Sequence, residues 1–312
     1  MKIVVAPGKM VLVGAYAVLE GAPAIVVAVD RYAKADPSKV ADAPSAEVVD
    51  AFGESPAPSC DASALYHEGS KLGLGSSAAV LVASLGADAA KRGLDPSDPD
   101  VRSRIFRRAR ESHARVQGGG SGIDVAASTY GGVLRYTLHA NRPWILESAL
   151  PDGLVISGFF SGKSAKTSEL LAKVAEHKER DPGAHERVFA NLGYAAELAA
   201  KLMDSGSPRE FVGAVGLFLE ALDELGEMAE APIVPLSFKR LAIIAAEEGG
   251  VFLPSGAGGG DVGVFLGAAE PSENFTSRAK VLGMQPLAIG IDRHGLRVSP
   301  DVPSATASSA LN

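Results

Sequence analysis

Three observations predict that this sequence folds as an α+β protein in two parts. Short β-branched runs open the chain at turn-length spacing, so its first strands should pair antiparallel rather than alternate with helices. Long stretches of helical periodicity dominate the second half. The composition shifts between them, near residues 143–151, and this places a soft boundary between a part spanning 1–150 and a part spanning 151–298. Runs of strands followed by runs of helices mark α+β architecture. The 312 residues suit two modest domains or one large α/β unit.

Taken in order, Ile3-Val4-Val5, Val11-Leu12-Val13 and Ile25-Val26-Val27-Ala28-Val29 predict the opening strands. Residues 34–63 are rich in Ala, Pro, Ser and Asp without firm periodicity, which predicts weak strands or an irregular excursion. An apolar stretch, Val80-Leu81-Val82-Ala83, follows a glycine loop and predicts a helix. Val101, Ile105, Phe106 and Ala109 recur at helical spacing, with Arg102, Arg104, Arg107, Arg108 and Arg110 between them. That spacing predicts an amphipathic helix with a solvated basic face. Further strands are predicted at 133–138, 154–156, 262–266 and 287–291, and helices at 188–202, 211–228 and 236–246. The tail, 299–312, is rich in Ser, Ala and Pro and predicts disorder.

Composition narrows the function classes. Lys plus Arg number 30 against 37 Asp plus Glu, a net charge of −7 that disfavours nucleic acid or an anionic membrane as partner. Cys60 is the single cysteine, which excludes an intramolecular disulfide and a cysteine-based zinc cluster. The N-terminus lacks the apolar core of a signal peptide, and no run reaches the ~18 apolar residues that span a bilayer. A cytoplasmic, soluble protein is the expectation.

Glycine carries the strongest signal. The chain has 35, clustered at 73–75, 118–122 and 256–260. The sequence Lys71-Leu72-Gly73-Leu74-Gly75-Ser76-Ser77-Ala78-Ala79 reads as a glycine loop feeding a helix. First-turn N–H groups lack helical partners and sit at the positive end of the dipole, so such a site favours phosphate. An ordinary helix capped by Ser is the competing reading. Gly158-Phe159-Phe160-Ser161-Gly162-Lys163-Ser164 fails as a Walker motif because Ser157 stands where its first glycine is needed. Gly73-x-Gly75 and Gly256-x-Gly258 are not completed to G-x-G-x-x-G, since Ala78 and Asp261 stand at the third place, which disfavours a dinucleotide site there.

Three motifs in order resemble the GHMP kinase superfamily. They are Ala6-Pro7-Gly8-Lys9 running into Gly14-Ala15-Tyr16-Ala17-Val18-Leu19, the loop at 73–78, and Pro254-Ser255-Gly256-Ala257-Gly258-Gly259-Gly260-Asp261. Within the superfamily the chain is most similar to the phosphomevalonate kinases. Lys71 in K-x-G-L-G-S-S-A carries that likeness, as do His113 to Ala127 against H-x-x-A-Q-G-x-x-G-S-G-x-D-V-A, and the segment from Phe160 to Leu171. The resemblance implies an N-terminal domain like ribosomal protein S5 domain 2 and a ferredoxin-like C-terminal domain. It also implies ATP and Mg²⁺ as cofactors and transfer of phosphate to 5-phosphomevalonate. Mevalonate or homoserine kinase-like chemistry on an alcohol is the alternative.

By position, the resemblance assigns Asp124 as catalytic base with Lys9 balancing charge. Lys71, Gly73, Leu74, Gly75, Ser76, Ser77 and Ala78 would hold ATP. Tyr16, Ser121, Gly122, Lys163, Ser164, Thr167, Gly258 and Gly259 would contact a small phosphorylated or hydroxy-acid substrate. Ser77 is the candidate ligand for Mg²⁺ brought in by ATP. The residues themselves leave a second reading for Asp124, as cap of a helix starting at Val125. Two positions depart from the family: Ala15 replaces its usual Glu, and Gly119 replaces a common Lys. They keep open a non-catalytic nucleotide or metabolite sensor on the same scaffold. The chain is expected to be a monomer or homodimer.

Overall fold

The computed structural model describes residues 2–140, 142–164 and 166–299. Its first half is a sheet backed by helices. Strand β1 (Val4–Val13) pairs antiparallel with β2 (Ala24–Val40). Two expected strands, at 3–5 and 11–13, are thus one. Pro7 and Gly8 do not end the strand because they sit at a register shift, where Pro7 faces Tyr32 and Gly8 faces Val29. A bulge tolerates the missing proline N–H that a regular ladder would not.

Residues 34–63 are more ordered than composition implies. β2 continues to Val40, helix α1 covers Ala46–Phe52, and β3 (Pro58–Asp61) returns along β2. Two short strands, β4 (Tyr66–His67) and β5 (Ser70–Lys71), make a hairpin that delivers the second glycine loop. Helix α2 (Ser76–Lys91) then lies across β1 and β2, burying Ala78, Ala79, Leu81, Val82 and Leu85.

Helix α3 (Pro99–Gln117) starts where Asp98 Oδ1 accepts from the N–H groups of Asp100 and Val101, with Pro99 at its first position. Its apolar stripe is the expected one, Val101, Ile105, Phe106 and Ala109 all being buried. The basic face, however, is not simply solvated. Arg102 Nη2 donates to His294 O and Leu296 O (2.5 and 2.8 Å), and Arg108 donates to Ala51 O (2.7 Å) above the Phe52 ring. Guanidinium groups find carbonyls there because the earlier helix α1 and the later segment at 294–296 both pack against that face. Helix α4 (Ile123–Tyr130), then β6 (Val133–His139) and β7 (Arg142–Ser148), complete the chain order to residue 148.

The second half builds a four-stranded antiparallel sheet in the order β11-β8-β10-β9 from β8 (Val155–Phe160), β9 (Val251–Pro254), β10 (Val262–Gly267) and β11 (Gln285–Leu287). Helices α5 (Thr167–Arg180), α6 (Pro182–Ser205), α7 (Pro208–Met228) and α8 (Leu236–Glu247) lie between β8 and β9. Helix α9 (Glu273–Val281) lies between β10 and β11. The expected helices at 188–202, 211–228 and 236–246 fall inside α6, α7 and α8. A capping box starts α7: Ser207 Oγ accepts from Glu210 N–H, and the Glu210 carboxylate accepts from Ser207 N–H. Phe159, Phe252 and Phe275 meet edge-on at 5.3–5.9 Å between ring centres and form the apolar centre of this half.

The strand expected at 287–291 stops at Leu287, because the chain leaves that sheet for the first one. Ile291 bridges Val29, and β12 (Arg297–Val298) pairs with β1. The first sheet therefore runs β12-β1-β2-β6-β7, with β3 beside β2. Buried Asp292 pins this return by accepting from His294 and Gly295 N–H and pairing with Arg297 at 2.9 Å. The disorder expected for the tail falls, beyond Ser299, outside the described residues. No described helix is long and apolar enough to cross a membrane.

Candidate active site

Lys9 follows the register shift at Pro7 and Gly8 and meets the second glycine loop. Lys9 N–H donates to Leu74 O (2.9 Å), and its ammonium donates to Gly73 O (3.1 Å). Leu72 and Leu74 are buried and anchor the loop, so their glycine neighbours line the space above it. Gly75 caps α2 in the left-handed conformation, φ +73°, and a Cβ there would stand 3.0 Å from Lys9 Cγ and 3.7 Å from Asp124 Cβ. The loop, the lysine and the aspartate therefore converge on one point. No Ser side chain caps α2, which removes the competing reading of Ser76 and Ser77 as N-caps. Ala79 N–H is bonded to Gly75 O (3.0 Å), so the N–H groups of Ser76, Ser77 and Ala78 precede the helical ladder. Ser76 is buried and Ser77 half-buried in that first turn.

Asp124 lies in the first turn of α4, which begins at Ile123 after Gly122, two residues earlier than expected. Its Oδ1 accepts from Val125 N–H at 2.9 Å, so a local structural bond coexists with exposure to the site. His113 Nε2 of α3 stands 3.4 Å from Oδ2. Ser121 Oγ accepts from Ile123 N–H (3.3 Å), and Ser121 O accepts from the Tyr136 hydroxyl. Gly122 packs where a Cβ would press on Arg110 Cγ at 2.9 Å.

The third loop closes the site from the other sheet. A Cβ on Gly73 would fall 2.3 Å from Asp261 Cβ, so the two glycine loops touch. Asp261 O accepts from Ser161 N–H (2.8 Å) and Asp261 N–H donates to Lys163 O (2.7 Å), tying the segment after β8 to this loop. Tyr16 donates its hydroxyl to Ala257 O at 2.6 Å, and Ser255 Oγ accepts from Val11 N–H at 3.0 Å. These bonds fasten the first motif to the third across more than 240 residues of sequence. Gly258 is buried against Ile233 O, and Gly259 N–H donates to the same carbonyl (3.0 Å). Lys71, Lys163, Ser164 and Thr167 are exposed. Lys166 pairs with Glu169 at 2.8 Å and occupies the cap position of α5, so Thr167 is its first residue.

Burial sets the electrostatics. Lys9 is 9% exposed, and desolvation holds its pKa below the ordinary lysine value, with Asp124 and Asp261 pulling the other way. Desolvation likewise raises the Tyr16 hydroxyl, so it serves as a donor, not a phenolate. Asp261 acts on Lys9 and was not assigned from sequence. The signal was there, in its place at the end of the third glycine loop, but only the approach of the two sheets gives it a partner. Cys60, its thiol pushed up to about 12 by burial, is unreactive.

The GHMP kinases N terminal domain matches residues 62–132. The phosphomevalonate kinase of Streptomyces sp. (strain CL190) is 30% identical over 91% of this chain and 95% of its own length. The chain belongs to the GHMP kinase family. The mevalonate kinase of Thermococcus sibiricus is 31% identical over 72% of this chain and 65% of that one. Among solved structures, a Lin0012 protein from Listeria innocua superposes with a TM-score of 0.83 at 21% identity, over 96% and 99% of the two chains. The Streptococcus pneumoniae phosphomevalonate kinase in complex with phosphomevalonate and AMPPNP gives 0.75 at 18% identity, over 93% and 100%. The α+β two-part fold is that of this family, whose members use ATP.

Proposed function

We propose that this GHMP kinase moves the γ-phosphoryl group of ATP onto a phosphate oxygen of 5-phosphomevalonate, yielding 5-diphosphomevalonate and ADP. The observation that carries the reading is the convergence of buried Lys9, Asp124 and the first turn of α2 on Gly75. The first-turn N–H groups of Ser76, Ser77 and Ala78 would hold the ATP phosphates, with Lys71 adding charge at the rim. Lys9 would offset the charge that develops as the bond from γ-phosphorus to the β–γ bridging oxygen breaks. Asp124 would orient the acceptor oxygen and take its proton where one is present. Lys163, Ser164 and Thr167, exposed beside the third loop, and Tyr16, Ser121, Gly122, Gly258 and Gly259 are the remaining acceptor-side assignments.

Among the described residues, no three His, Cys, Asp or Glu side chains converge as a metal cage. Mg²⁺ therefore enters this proposal with ATP, on phosphate oxygens, and the Ser77 hydroxyl is the protein ligand assigned to it. The mevalonate kinase relatives support the second reading, the same transfer to an alcohol. ADP release measured with a panel of acceptors separates the two. Turnover with phosphomevalonate is expected; turnover only with mevalonate, homoserine or other unphosphorylated alcohols overturns the first choice. Nucleotide binding without turnover on any acceptor would instead favour a sensor.

The buried ammonium makes a pH prediction. Desolvation favours the neutral amine, so Lys9 loses its proton below the 10.5 of a free lysine. If the cation is required, kcat/KM should fall on an alkaline limb below pH 10.5, because that ratio reports the free enzyme. In Lys9→Arg the limb should move up in pH or vanish. An unchanged limb would assign it to another group.

A further inference from the structure

Asp124 follows the glycine loop at 118–122, which is held at its end, where Gly122 packs on Arg110 and Ser121 O accepts from the Tyr136 hydroxyl. Gly118, Gly119 and Gly120 have nothing within 4 Å of where a side chain would begin, so the start of the loop is not closely packed. Another anchor comes from α3. His113 Nε2 lies 3.4 Å from Asp124 Oδ2, the two side chains being 14% and 23% exposed. The contact is long for a hydrogen bond and within ion-pair range, as catalytic contacts often are before substrate binds. With Oδ1 on Val125 N–H, the two carboxylate oxygens are held by separate helices.

His113 is itself braced on both sides by α1. Ser112 Oγ donates to Glu47 O (2.7 Å), and Gln117 Nε2 donates to Glu47 Oε1 (2.6 Å). Arg115 grips Asp50 with two nitrogens, at 3.1 and 2.7 Å. Burial opposes the charge of Glu47, but its own N–H, Gln117, Ser45 and the nearby His113 outweigh it and hold the carboxyl below the ordinary glutamate value. The imidazole thus stands between Asp124 on α4, in contact with it, and Glu47 on α1, whose carboxyl it helps hold down.

We propose that His113 is the positioning residue for Asp124, with α1 as its brace. It holds the carboxylate at the angle from which Asp124 meets the acceptor. The inference rests on the role given to Asp124 under Proposed function. The test is steady-state kinetics with ATP and phosphomevalonate on the full chain, for His113→Leu, His113→Gln, Asp124→Asn and the double variant His113→Leu/Asp124→Asn. His113→Leu should lower kcat by about 10²-fold, the scale of an ångström-level misplacement, with KM for ATP unchanged. His113→Gln, which keeps an N–H donor at a similar reach, should recover most of the loss. Adding His113→Leu to Asp124→Asn should cost nothing further. Wild-type kcat in His113→Leu beside an impaired Asp124→Asn, or full additivity in the double variant, overturns the proposal. A loss confined to folding would lower the thermal midpoint and would not vanish in the Asp124→Asn background. If wild-type turns over no acceptor, the kinase reading fails instead; if Asp124→Asn is fully active, the role given to Asp124 fails while the kinase reading stands. The contact is then judged by imidazole ¹⁵N resonances, with His113 assigned from His113→Gln. They should shift in Asp124→Asn, and unmoved resonances overturn the contact even if His113→Leu does not fold.

Discussion

Asp124→Asn should lower kcat by about 10²–10⁴ and leave ATP affinity nearly unchanged, the range being that of positioned acid–base groups. Asparagine keeps the size and an oxygen for Val125 N–H, so the first turn of α4 should survive. The negative charge is lost, and with it the carboxylate's influence on Lys9 and the acceptor. A phosphate acceptor is already acidic and needs little deprotonation, which places the loss near the lower end. Nucleotide affinity should be spared because the α2 first turn, not α4, is the element proposed to hold the phosphates. Lys9→Met should also lower kcat. The double variant should lose less than the product of the two single losses, since groups acting as a unit are non-additive. Wild-type turnover in Asp124→Asn would leave the residue as a helix cap.

Gly75→Val should weaken ATP binding and slow turnover together, with kcat/KM for ATP down by at least about 10². Valine at φ +73° is strained by about 1–3 kcal/mol before any contact is counted. Its Cβ would press on Lys9 Cγ and Cε at 3.0 and 3.2 Å, and its methyl groups would enter the space above the α2 N-terminus. Both proposed roles, phosphate binding and the action of Lys9, use that space, so damage to both is expected, where a phosphate loop alone predicts damage only to binding. Gly75→Ala should show a smaller loss of the same kind. Calorimetric titration with ADP, alongside the melting temperature, separates binding from folding. Wild-type nucleotide affinity in Gly75→Val would remove this loop from the phosphate site.

Legibility in the sequence followed the range of the interaction. Helix α3 was readable because its apolar stripe repeats every three to four residues, a local signal that burial then obeys. The second glycine loop was readable because glycine, serine and an apolar run stand side by side in the chain. By contrast, α1 was missed because Glu47, Val48 and Phe52 look like part of an irregular Ala/Pro/Ser stretch until α3 covers them. The strand expected past Leu287 fails for the same cause: Ile289 and Ile291 are apolar, but they serve the interface between the sheets. The continuity of β1 through Pro7 was hidden because a bulge is chosen by the partner strand as much as by the residue.

The sequence by itself determined which backbone could approach an anion and which side chains could carry charge to it. Gly73, Gly75, the two serines, Lys9 and Asp124 have those capacities through their own chemistry, whatever surrounds them. Tertiary structure decided how they are combined. Only the packing of α2 on β1 puts Lys9 against Gly73 and Gly75. Only the docking of the two sheets brings Asp261 to Gly73 and Tyr16 to Ala257. The physical reason is the range of the forces. Desolvation and Coulomb terms depend on distance in space, and the lysine whose pKa they lower is 115 residues from one carboxylate and 252 from the other.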